Sequence, residues 1–69
     1  MSNLLNQIKE KLKGNDTPLS QLLKNTINSD EKDKAIIQDL KNFTLSGNYV
    51  MMRELFGKNL ITDIINYKP

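Results

Sequence analysis

The chain of 69 residues has no cysteine, no histidine and no tryptophan, and Arg53 is its only arginine. Without cysteine there is no disulfide. Without cysteine and histidine together there is no ordinary zinc site. The same two gaps remove the commonest proton shuttle and the strongest nucleophile available at neutral pH. Glycine is scarce, and Gly14, Gly47 and Gly57 stand apart from one another, so no glycine-rich phosphate loop is present. Long apolar runs are missing too, and no segment approaches the roughly 18 residues of a membrane span. The opening stretch MSNLLNQIKEKLKG breaks its apolar stripe with lysines, unlike the core of a signal peptide. A cytoplasmic location is therefore expected, in the source cell or a host cell. The triplet Asn42-Phe43-Thr44 matches a glycosylation sequon, which reads as chance without a secretion signal.

Charge of either sign is also modest. Ten lysines and arginines face eight acids, for a net +2, and the two signs are interleaved. Nucleic-acid binders usually concentrate their basic charge, so this is a weak footprint for one. A chain of this length makes one small domain, 1–69, that buries only about 60% of what its unfolded form exposes. With no disulfide or metal to help, its stability must come from helix packing, self-association or a partner.

What the sequence does contain is apolar residues at helical spacing. Leu4, Leu5, Ile8 and Leu12 share one side of a helix, with Lys9, Lys11 and Lys13 outside the stripe. Ser2 or Asn3 can cap its start, and Gly14 is placed to end it. Thr17 followed by Pro18 reads as an N-cap and a first helical residue, opening a stripe of Leu19, Leu22, Leu23 and Ile27 that stops near Asn28. Ser29 then reads as a cap, with Asp30, Glu31 and Asp33 in the first turn, where the helix dipole favours negative charge. Ile36, Ile37, Leu40 and Phe43 form the third stripe, closed by Ser46-Gly47.

The last stretch, YVMMRELFGKNLITDIINY, does not hold a single face. At helical spacing, the apolar residues of Tyr49–Phe56 and those of Leu60–Tyr67 point about 145° apart. Two short helices explain this, with Gly57 ending the first and Asn59 capping the second across a Gly-Lys-Asn turn. One kinked helix buried on both sides is the alternative. No period-2 alternation is present, so the expected fold is all-α, a compact bundle of four to five short helices.

This inventory points away from catalysis and from any cofactor or small-molecule substrate. The carboxylates Asp30, Glu31 and Asp33 lack the spacing and the glycine of a calcium loop and read as a solvated helix start. The lysines of the first helix resemble the rim of a membrane-surface helix, but Glu10 lies among them and an ordinary solvated face is the simpler account. No membrane association is expected.

The expected protein interface is Tyr49, Val50, Met51, Met52, Arg53 and Phe56. Four consecutive apolar residues, Tyr49 to Met52, wrap more than half of a helix, so one core stripe cannot bury them all. Methionine adapts to partner surfaces, and tyrosine and arginine are enriched at interface centres. On this reading the chain is a small non-catalytic regulator or inhibitor that binds a protein partner or pairs with its own copy. The alternative is a helix-turn-helix-like DNA-binding regulator using residues 49–67, with Lys58, Asn59, Thr62, Asn66 and Lys68 as contacts. Asparagine can pair with adenine and threonine can touch a thymine methyl. Against it stand Asp63 on the same helix and the absence of arginine there, because affinity for DNA rests on clustered basic contacts.

Overall fold

The computed structural model describes residues 3–68, and within them the chain is helical with no strand. Five α-helices follow in order: α1 (Asn3–Leu12), α2 (Pro18–Ile27), α3 (Asp33–Phe43), α4 (Tyr49–Phe56) and α5 (Lys58–Ile65). The expected all-α bundle is what forms. Its accessible surface is 4543 Å², close to the roughly 4,400 Å² that surface scaling gives for a free-standing chain of this size.

Each helix contributes its stripe to one core. Leu5, Ile8 and Leu12 come from α1, Leu23 and Ile27 from α2, and Ile36, Ile37 and Leu40 from α3. Met52 and Phe56 come from α4, and Leu60, Ile61 and Ile64 from α5. The last helix is central, packing against α1, α3 and α4.

The second helix starts as its sequence predicts. Thr17 is extended, and its side-chain oxygen accepts from the Ser20 backbone N–H at 3.2 Å. Its buried face, however, is rotated from the expected stripe. Leu22 is exposed, while Ser20 is fully buried. A buried hydroxyl must find partners, and the Ser20 Oγ lies 2.8 Å from the Asn15 carbonyl and 2.9 Å from that of Thr17. Lys24 Nζ donates to the same Asn15 carbonyl at 2.8 Å. The loop after α1 is thus tied down by side chains of α2.

Two helix starts differ from expectation. The third helix begins at Asp33, with Lys32 and not Ser29 at the N-cap. Asp30 and Glu31 therefore lie in the preceding loop, where Ser29 Oγ makes only a long 3.5 Å contact with the Glu31 N–H. No apolar residue stands between Asn28 and Ala35, so an earlier turn would have nothing to bury against the cost of ordering it. The proposed cap at Ser2 lies outside the described residues, and Asn3 is the first residue of α1.

The joint between α4 and α5 is tighter than a Gly-Lys-Asn turn. Gly57 alone separates them, at φ 88° and ψ 160°, and it is both the end cap of α4 and the start cap of α5. That backbone region is essentially reserved for glycine. The Ile61 N–H already donates to the Gly57 carbonyl at 3.1 Å. Asn59 is therefore inside the helix and caps nothing. Two helices form, as the shift of the apolar face implies, and a single residue turns the chain.

Between α3 and α4 the chain passes through a wide turn, Thr44–Asn48, in which Ser46 and Gly47 leave helical backbone. Ser46 Oγ donates to the Asn42 carbonyl at 2.7 Å and Asn48 Nδ2 to the Phe43 carbonyl at 2.8 Å. These bonds satisfy carbonyls that the end of α3 leaves open.

Candidate functional site

The fourth helix is too short to bury all of its apolar residues. The neighbouring helices decide which ones turn inward. Met52 is fully buried and Phe56 nearly so, and both belong to the core. Neither is available to a partner, which corrects their place in the expected interface. Leu55 is half-buried beside them.

The other members of the set remain outside. Val50 is 58% exposed, Met51 47% and Tyr49 39%. Arg53 is exposed, and its guanidinium carbon lies 5.9 Å from the centre of the Tyr49 ring. This is near the outer limit of a cation–π contact, and it places a planar cation over one end of the apolar face. Glu54 is exposed on the next turn. Leu45, in the turn that leads into α4, is 59% exposed and was not anticipated. Its signal in the sequence was position: it follows the last core residues of α3 and precedes the Ser46-Gly47 break, so no stripe continues through it.

The expected DNA contacts also lie at the surface. Lys58, Asn59, Thr62, Asn66 and Lys68 are all exposed, and so is Asp63. The Thr62 hydroxyl is engaged within the helix, donating to the Lys58 carbonyl at 2.8 Å. The one-residue joint at Gly57 departs from the three- to four-residue turn of a helix-turn-helix.

Among the described residues, two surface depressions stand out. The larger, about 710 Å³, lies between α1 and the start of α5, and carries both signs of charge, Glu10 and Asp63 against Lys11 and Lys58. The smaller, about 310 Å³, lies between α1 and the end of α2. Among the described residues no three carboxylates gather as a metal site would need. Glu31 does crowd Asp39. A hydrogen bond to Asp39, and then its charge, hold the Glu31 carboxyl above the ordinary carboxylate range. The pair is exposed and frames no cavity.

No protein-family model, no curated protein and no solved structure matches this chain.

Proposed function

We propose that the chain is a small non-catalytic regulator or inhibitor that works by binding protein through the outer face of α4. Tyr49, Val50 and Met51 form the apolar part of this surface and Arg53 its polar edge. One observation carries the reading: the core closes around Met52 and Phe56 while three adjacent apolar side chains stay in contact with water. Methionine and tyrosine suit such a surface because one adapts its shape and the other offers a large, rigid contact.

Sedimentation equilibrium over a wide concentration range, on the wild type and on Met51→Glu, tests this. A second copy on the face makes the wild type associate and the variant monomeric, since a carboxylate would be desolvated without a partner. If the wild type stays monomeric, a benzophenone side chain at position 50, irradiated in the source cell, should give a discrete protein adduct that Met51→Glu abolishes. The reading is overturned if the wild type neither associates nor gives such an adduct.

The second reading, DNA binding by α5, draws on the exposure of Asn59 and Thr62 on that helix and of Asn66 just past its end. It requires duplex binding that weakens steeply with salt.

A further inference from the structure

The wide turn between α3 and α4 interrupts what is otherwise helical backbone. Thr44 and Tyr49, at its two ends, are helical, and only Ser46, Gly47 and Asn48 depart from that geometry. No proline stands in it. Ser46 Oγ and Asn48 Nδ2 occupy the carbonyls of Asn42 and Phe43, which a continuing helix fills with the amides of Ser46 and Gly47. Straightening the turn therefore leaves neither carbonyl open. The sequence is also patterned for a straight form. Ile36, Ile37, Leu40, Phe43 and Thr44 share one face at helical spacing. Leu45, Tyr49, Met52 and Phe56 recur at intervals of four, three and four residues, on a face about 150° away. A straight helix of this kind serves two cores, one on each side. In the turned chain the second stripe is only half covered: Met52 and Phe56 are buried, while Leu45 is 59% exposed and Tyr49 39%.

We infer that the second core belongs to a second copy of this chain. The turn straightens, and the α4–α5 unit of each chain packs on α1 and α3 of the other. This partner fits by construction, since the contacts that α4 and α5 make with α1 and α3 are remade between chains. The hydrogen bond from Lys41 Nζ to the Tyr67 carbonyl, 3.1 Å long, spans the hinge and is remade in the same way. Met52 and Phe56 keep their buried sites, now in the partner. Leu45 and Tyr49 gain a cover that the monomer lacks, because the two straightened helices cross at the twofold axis and bring their own copies of these residues together. Chain linkage opposes the exchange. It presents the unit to its own core at an effective concentration on the order of millimolar, so the dimer forms near that concentration. A face-to-face pair through Val50 and Met51 leaves the turn as it is, and the two arrangements are therefore distinct.

Refolding from urea at about millimolar protein, followed by size exclusion with light scattering, tests the proposal. The wild type should give a dimer fraction that returns slowly to monomer on dilution, because α5 must leave one core to enter another. Gly47→Ala should strengthen dimerisation by about a hundredfold or more. The added methyl group meets nothing within 4 Å, but alanine disfavours the φ of 95° in the turn and favours the straight helix, at both hinges of the dimer. Leu45→Ser, at a position exposed in the monomer, should weaken the dimer about tenfold. In a dimer of isotope-labelled and unlabelled wild-type chains, inter-chain nuclear Overhauser effects should join α3 of one chain to α5 of the other. That measurement needs no variant, so it decides the matter even if Gly47→Ala fails to fold. The proposal is overturned by a wild type that refolds only to monomer, by inter-chain contacts confined to the outer faces of α4, or by a folded Gly47→Ala chain that dimerises no better than the wild type.

Discussion

The α1–α2 pair and the α4–α5 pair solve the same problem differently. Each turns the chain between two short helices that share the core. In the first pair the turn is held by side chains: Thr17 caps α2, Ser20 and Lys24 reach the Asn15 carbonyl, and Asn15 Oδ1 accepts from the Thr17 hydroxyl at 2.8 Å. In the second the turn is one glycine, with no side-chain cap on α5. The first joint is specified by polar groups at fixed spacing, the second by a backbone conformation and by the burial on either side of it. A polar clasp tolerates the loss of one member, whereas a single-residue joint has no redundancy. The two pairs also differ outside the core, since three consecutive exposed apolar residues occur only on α4 among the described helices.

The largest effect should come from the two neighbouring methionines of the second pair. Met52→Glu should unfold the chain, because it places a carboxylate in the core with no partner, at a cost of several kcal/mol against a small total stability. Met51→Glu should leave the helical spectrum and the urea midpoint nearly unchanged. Equal damage from both would mean that the core does not end where α4 turns outward.

Next in size is Gly57→Ala. Nothing lies within 4 Å of the added methyl group, so the penalty is backbone strain alone, about 1–3 kcal/mol. Urea denaturation measures it. A stabilised variant would mean that Gly57 sits in an ordinary helical turn, and the contrast between the joints would vanish.

The caps give a smaller difference that tests the comparison directly. Thr17→Ala should cost about 1 kcal/mol through loss of the N-cap, while Asn59→Ala, at an exposed position that caps nothing, should stay within about 0.5 kcal/mol. Thermal melts of the two variants side by side suffice. A larger loss at Asn59 would show that α5 is capped after all.

The smallest effect belongs to the loop that links the two halves. Because Asp39 holds the Glu31 carboxyl above its ordinary range, the folded chain keeps that proton more tightly than the unfolded chain does. Stability contributed in this way is present at acid pH and is lost as pH rises through the raised value. Glu31→Gln should flatten that part of the pH profile in chemical denaturation, and added salt should shrink the difference because the pair is exposed. An identical slope in the two proteins would show that the two carboxylates do not interact.

The comparison also shows what the sequence made legible. Helix number, the Thr17-Pro18 start and the break at Gly57 were readable because each depends on local chemistry: a cap, a ring-fixed φ, a conformation reserved for glycine. The rotation of α2 was not. Leu22 looks like core by spacing, and Ser20 is buried only because the preceding loop offers it carbonyls, which lie outside any helical periodicity. The start of α3 was misread because Ser29 has the right chemistry for a cap but no apolar residue behind it. The candidate surface was half legible. Four consecutive apolar residues cover every side of a helix, so periodicity offers no contrast between Met51 and Met52. Only the positions of the neighbouring helices, which are set by distant parts of the chain, separate the two.

The central place of α5 has a consequence for how the molecule opens. Since α5 packs on α1, α3 and α4 together, its amides can meet solvent only after several helix contacts are lost at once. In hydrogen exchange, the amides of Ile61, Ile64 and Ile65 should be the slowest in the chain, released at the free energy of global unfolding. The amides of the Thr44–Asn48 turn, where the chain leaves helical geometry, should exchange through small local fluctuations. The last helix would then act as the keystone of the protein, so that its release and the loss of the fold are a single event.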